Sequence, residues 1–274
     1  MGRFVCPSPL QIISILRGSS AKILTTAVYA NSKSFVPPSR YTNMVKLDVP
    51  RVSKSEFLTF LQNQGHIRID DYIEGAIEVA EEVHEGLLRE DGTSSFLQTH
   101  TWPVTMDVVN HYRTANRNIT SVEIAAAILH DVMEDDDRIL NLHESKSYGF
   151  EAYLEYRFGS RIHAITTGLK VKPLENYPGI TEVDRQLARF QEYCDILLDS
   201  EYDVKAIKLA DRLNNMLFIS KVPRHSKIRR YTREAEDFYI AYSMLAPKMP
   251  GFYSKIRAAY EHLRAVSIQQ LVSA

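Results

Sequence analysis

Two short stretches of this sequence place ionisable side chains in otherwise apolar segments. The first runs Ile128-Leu129-His130-Asp131-Val132-Met133-Glu134-Asp135 and follows Ile124, Ala125, Ala126 and Ala127. Read as helix, it sets His130 one turn from Glu134 and Asp131 one turn from Asp135. An imidazole and carboxylates beside a buried stripe are costly unless something pairs with them, and a divalent cation does so. An adjacent His-Asp pair offers one nitrogen and one oxygen to the same ion. Alone the dipeptide is weak, since a solvated acidic helix end explains it as well. The second stretch is Lys208-Leu209-Ala210-Asp211-Arg212-Leu213-Asn214-Asn215-Met216, with Asp211 and Asn215 again one turn apart. Taken alone, an exposed face with an Asp-Arg pair is an equal reading. A third piece, His84-Glu85-Gly86-Leu87-Leu88-Arg89, is followed by Thr99-His100 just ahead of a helix opened near Pro103.

The segments that must position these residues read as helices. Ser55 to Leu61 and Asp70 to Glu90 carry apolar residues stepping by three and four. Thr120 and Glu123 form a capping box that opens the run from Ile124 to Asp135. Gly149 to Phe158, Asp184 to Leu198 and Asp203 to Ile219 follow, the last with Val204, Ile207, Ala210, Leu213 and Leu217 on an inward stripe. Thr232 to Leu245 and Phe252 to Ala265 close the chain, separated by Pro247, Pro250 and Gly251. With no βαβ alternation, repeat or Gly-rich phosphate loop, the expectation is an all-α domain over residues 48–270.

Composition narrows the classes. A formal net charge of -1 gives no global pull toward DNA or an anionic membrane, and no stretch is apolar for long enough to span a bilayer. Cys6 and Cys194 are far apart and form no CxxC, which argues against a thiolate metal site or disulfide framework and fits a reducing compartment.

In order along the chain, these pieces resemble the hydrolase domain of the RelA/SpoT family. Its pattern reads His-x-Gly-x-x-Arg, a His near the next helix, His-Asp-x-x-Glu-Asp, and Lys-Leu-Ala-Asp-Arg-Leu-x-Asn. Phe158-Gly159 and Thr166-Thr167-Gly168-Leu169-Lys170 look like two further family elements. Five ordered matches over roughly residues 70–245 carry the resemblance. Thr101-Trp102-Pro103 stands where His-Pro is expected, two extra residues separate Gly92 from His100, Glu90 occupies a usually basic position, Asn214 replaces a frequent His, and the segment between Asp135 and Asp211 is longer than usual.

The resemblance implies an HD-domain helical bundle in which His100, His130, Asp131 and Asp211 ligate one divalent metal, typically Mn²⁺. It implies Glu134 and Asp135 as the catalytic acids that orient or deprotonate a water, and Arg89 and Asn215 as substrate-binding residues. The implied reaction is (p)ppGpp plus water giving GDP or GTP plus pyrophosphate, as in the small alarmone hydrolases, which lack synthetase and regulatory domains. Alternatives keep the site with another substrate (ppApp, RNA ends or NADPH), act as antitoxin to a toxin partner, or bind nucleotide without catalysis. Oligomeric state is not readable from the sequence.

From Met1 to Leu47 there is no Asp or Glu, while Arg3, Arg17, Lys22, Lys33, Arg40 and Lys46 are present. This extension reads as a disordered tail, a start assigned upstream of Met44, or a mitochondrial or plastid transit peptide. The expected location is cytoplasmic, or organellar if the last reading holds.

Overall fold

Ser53, Thr120 and Thr181 each cap a helix by exchanging bonds with the acid three residues on, Glu56, Glu123 and Asp184. Each such cap contributes about 1 kcal/mol by satisfying backbone N–H groups that the first turn leaves free. Asp70 caps without a partner acid, accepting from the N–H groups of Tyr72 and Ile73. A computed structural model describes residues 48–134, 149–245 and 249–272. Its helices are α1 (Lys54–Gln62), α2 (Asp71–His84), α3 (Trp102–Thr114), α4 (Ser121–Ile128), α5 (Phe150–Leu169), α6 (Glu182–Asp199), α7 (Tyr202–Ile219), α8 (His225–Glu234), α9 (Ile240–Leu245) and α10 (Pro250–Val272). Among the described residues an isolated bridge between Leu88 and Ser95 is the sole β pairing, so the all-α expectation holds.

Helix α7 is central, packing on α3, α10, α5 and α8, while α2 packs on α4. Val204, Ile207, Ala210 and Leu213 are buried as the periodicity requires. Lys208, Asp211 and Asn214 are buried on the same helix. A helix covered nearly all round must find partners for its polar side chains, which is why the functional groups of α7 form a connected network.

Several expected boundaries are corrected. Helix α2 stops at His84 rather than Glu90, because Glu85 turns extended and Gly86 takes φ 68°, a left-handed conformation that glycine adopts without a Cβ penalty. Helix α4 stops at Ile128, so the run to Asp135 is not one helix. The region from Gly149 continues to Leu169, bent where Gly159 adopts φ 79°. The run expected from Thr232 begins earlier, at His225, and a π-helical turn over Ala235–Tyr239 separates α8 from α9. The N-terminal extension, residues 1–47, and Asp135 lie outside the described residues.

Candidate metal centre

The end of α4 explains how His130 and Asp131 reach one place. His130 Nδ1 bonds to the Ala127 carbonyl oxygen at 2.8 Å, and the chain tightens through an i→i+3 bond from Val132 N to Leu129 O. A short 3₁₀ turn, Val132–Glu134, follows. The one-turn helical spacing of His130 with Glu134 is therefore replaced by a tight turn that aims His130 and Asp131 together. His100 arrives from a π-helical turn, Leu97–Thr101, that runs directly into α3. Asp211 projects from the middle of α7.

Donor atoms of His100, His130, Asp131 and Asp211 all lie within 4.8 Å of one another. His100 Nε2 is 2.7 Å from Asp131 Oδ2 and 3.6 Å from Asp211 Oδ1. His130 Nε2 is 3.1 Å from both Asp131 Oδ2 and His100 Nε2. The tautomers follow from the partners. A carbonyl can only accept, so His130 Nδ1 carries the proton toward Ala127. Asn214 Nδ2 donates to the Thr99 carbonyl at 3.0 Å, which fixes its Oδ1 as the atom 2.8 Å from His100 Nδ1. His100 Nδ1 is therefore also a donor. Both imidazoles present Nε2 to the cluster, where two ring nitrogens meet two carboxylates. Burial keeps the His100 imidazole below its ordinary pKa; for His130 burial acts the same way but Asp131 and Asp211 outweigh it. Asp131, despite its burial, is held well below the carboxylate range by His130 and His100. Two Nε2 atoms facing each other at 3.1 Å need a cation or a shared proton between them. One divalent ion answers all four groups, so the donor set fits a mixed nitrogen-oxygen site.

Beside the cluster opens a cleft of ≈ 770 Å³, counting space open to solvent. Asp131, Asp211, Glu134 and Asn215 are among the residues that line it. Glu134 Oε1 lies 4.0 Å from Lys208 Nζ, which is also 3.5 Å from Asp211 Oδ2. The Glu134 carboxyl is pushed up to about 7, by burial first and by Asp131 and Asp211 next, against the pull of Lys208. Its side chain still exposes 37% of its surface, so solvent screening lowers the energetic weight of that shift.

Arg89 stands behind this wall, not on it. Nη1 donates to the Thr99 carbonyl and Asn214 Oδ1, Nη2 donates to Asn215 Oδ1, and the guanidinium lies 3.8 Å over the Phe218 ring. Asn215 in turn donates to Asp211 Oδ1 at 2.5 Å. Asn214, noted in the sequence only as a departure, thus orients a cluster imidazole.

The chain is 27% identical over 197 residues, 70% of its length, to a rice (Oryza sativa subsp. japonica) protein whose assigned name is chloroplastic GTP diphosphokinase RSH1. That match supports the RelA/SpoT family. The chain spans 19% of the rice protein's length. No family model matches the chain. No helix among the described residues is long and apolar enough to cross a membrane.

Sequence reasoning missed most of the outer cleft. Arg212 donates to Glu234 at 2.8 Å and lies over the rings of Tyr231 and Tyr239. Phe190, Tyr193 and Tyr231 line the same space. No spacing rule marks these residues. Lys208 and Arg212 stood inside a quoted motif, but nothing in the sequence said that they face the cleft.

Proposed function

We propose that this protein is a metal-dependent 3′-pyrophosphohydrolase of (p)ppGpp. The observation that carries the reading is the convergence of His100 Nε2, His130 Nε2, Asp131 and Asp211 at one end of a cleft whose walls hold both cations and aromatic rings. His100, His130, Asp131 and Asp211 would hold the ion. A divalent cation held there, with Mn²⁺ the ion the family resemblance points to, would offset charge on a diphosphate and acidify a water. Glu134, with its carboxyl near neutrality, accepts a proton from the attacking water. Asp135 follows it in the chain and is proposed as the second acid. Water adds to the phosphorus, the bond to the 3′ oxygen breaks, that oxygen takes a proton from solvent to become the 3′ hydroxyl, and the nucleoside diphosphate or triphosphate and pyrophosphate leave. Asn215 binds the nucleotide at the inner wall, and Arg89, on the far side of Asn215, supports that contact. The rice relative's name denotes a kinase, whereas a cluster of this composition beside a proton acceptor suits hydrolysis.

A second reading keeps the metal site and changes the nucleotide. Glu90 favours it, since that carboxylate pairs with Lys227 and faces Arg224 at 4.0 Å, removing positive charge where a highly anionic substrate would gain from it.

Purified protein incubated with ppGpp, with and without Mn²⁺, tests the assignment. Mn²⁺-dependent release of GDP and pyrophosphate, lost in Asp211→Ala, supports it. Silence toward ppGpp with manganese bound removes the substrate assignment and moves the search to ppApp, RNA ends and NADPH. Silence with no metal bound favours a nucleotide-binding protein without catalysis.

A further inference from the structure

Helix α6 lies in the stretch between the two motif blocks that is longer than the family pattern. Gln186, Arg189, Phe190 and Tyr193, at helical spacing, all line the cleft. The face is anchored from behind: Phe190 sits 6.3 and 6.2 Å from the rings of Phe238 and Tyr239, and Tyr193 6.3 Å from Tyr239. Arg189 is therefore presented from a fixed helix.

The other cations on the cleft wall each face a carboxylate. A divalent ion at the cluster would be held by Asp131 and Asp211 with the two imidazoles. Lys208 faces Asp211 and Glu134. Arg212 and Arg230 both lean on Glu234, at 2.8 and 3.5 Å. Glu192, one turn beyond Arg189 on α6, is paired with Lys172 at 2.8 Å. Among the described residues Arg189 has no ion pair, and it is half-buried. A partly desolvated guanidinium is unfavourable without an anion, and its planar fork matches phosphate oxygens two at a time.

We infer that Arg189 is a phosphate-binding residue of the cleft, taking the non-bridging oxygens of the substrate's phosphates that the cluster does not engage. The inference rests on the phosphohydrolase reading and assigns phosphate recognition to the cation lining the cleft that, among the described residues, faces no carboxylate.

The test uses Mn²⁺-loaded protein titrated calorimetrically with inorganic pyrophosphate, alongside steady-state hydrolysis of ppGpp. Arg189→Ala weakens pyrophosphate binding by about 10- to 100-fold, the size expected for losing a charge-assisted bidentate contact. It raises the KM for ppGpp more than it lowers kcat. Arg189→Lys keeps the charge but not the fork and falls between. Arg189→Gln keeps a polar side chain of similar reach and serves if the alanine variant is poorly folded. Pyrophosphate binding unchanged within about twofold in these variants overturns the inference, and so does a wild-type protein that does not bind pyrophosphate. A wild type that binds pyrophosphate but leaves ppGpp intact removes the proposed activity alone, and Arg189 is then judged on the pyrophosphate shift.

Discussion

His100 Nδ1 donates to Asn214 Oδ1 at 2.8 Å, and the same oxygen accepts from Arg89 Nη1 at 2.6 Å. One amide oxygen on α7 thus fixes the tautomer of a cluster imidazole while being itself fixed by a guanidinium. Partners of this kind hold a ligand ring in place and keep its other nitrogen unprotonated. Asn214→Ala is expected to weaken Mn²⁺ binding by about 10- to 100-fold. Competition against a fluorescent chelator measures it. An affinity equal to that of the wild type would show that His100 needs no such support.

Removing metal should loosen the fold around the cluster, because two ring nitrogens and two carboxylates then face one another without a cation. At a free metal concentration of about 100 times Kd, bound metal contributes roughly 2.7 kcal/mol. A chelator should therefore lower the melting temperature of the wild type and leave His130→Ala unmoved. Equal melting curves with and without chelator count against a metal centre.

Glu134 gives a pH dependence with a definite sign. Its carboxyl rises from 4.5 to about 7 in the folded protein, by burial first, so the folded state holds that proton more tightly than the unfolded chain. The stability it contributes is fully present below about pH 4.5 and is lost as pH rises through about 7. In metal-free protein, urea midpoints across this window should fall less steeply for Glu134→Gln than for the wild type. Catalysis runs the other way: a proton acceptor must be ionised, so kcat/KM should rise through pH 7, and the glutamine variant should lose that limb with most of its rate. Parallel urea profiles for the two proteins would remove Glu134 from the account.

How far the sequence could be read is clear from particular residues. The capping box at Thr120 is a local, three-residue event, so it is as legible in the sequence as in the fold. The inward stripe of α7 is legible for the same reason. His130 and Asp131 were recognisable by type, yet their helical spacing misled, because the His130 imidazole takes the Ala127 carbonyl and the helix ends. Arg89 and Asn214 are separated by 125 residues in sequence, and no periodicity reports that they touch. Arg189 carries no motif at all. Its surroundings are set by how α6 packs against Phe238 and Tyr239, which is a tertiary fact.

Arg212 and Glu234 bridge α7 and α8 at 2.8 Å with 14% and 11% of their side-chain surfaces exposed. Arg212 is held well above its usual range: burial opposes the charge, while Tyr239 and Glu234 favour it more strongly. Removing Arg212 leaves Glu234 with Arg230 alone, at 3.5 Å, so Arg212→Ala should cost about 1–3 kcal/mol in urea unfolding. The double variant Arg212→Met, Glu234→Leu should recover part of that loss, because no carboxylate is then left buried short of a partner and Arg230, 22% exposed, can turn to solvent. A double variant no more stable than the single one would mean that the tyrosine rings around Arg212, not its pairing, hold this corner together.

Glu90 decides between the two nucleotide readings. Its carboxylate is bound to Lys227 and faces Arg224, with 30% of the side chain exposed, so the pair is worth at most about 1 kcal/mol and its loss leaves the fold intact. Its effect on substrate is electrostatic. Glu90→Gln frees Lys227, whose ammonium is brought down to about 8 by burial first and by Arg230 and Arg89 next. Loss of the Glu90 charge itself makes the potential more positive beside Tyr231, 5.6 Å from Lys227 Nζ, on the cleft wall. The ratio of kcat/KM for ppGpp to that for NADPH should rise by roughly 3- to 10-fold at low ionic strength and shrink toward unity in salt. If the ratio does not move, Glu90 is an anchor for α8 and has no part in selecting the nucleotide. If the wild type already prefers NADPH and the variant turns toward ppGpp, the acidic residue at this position is what set the preference.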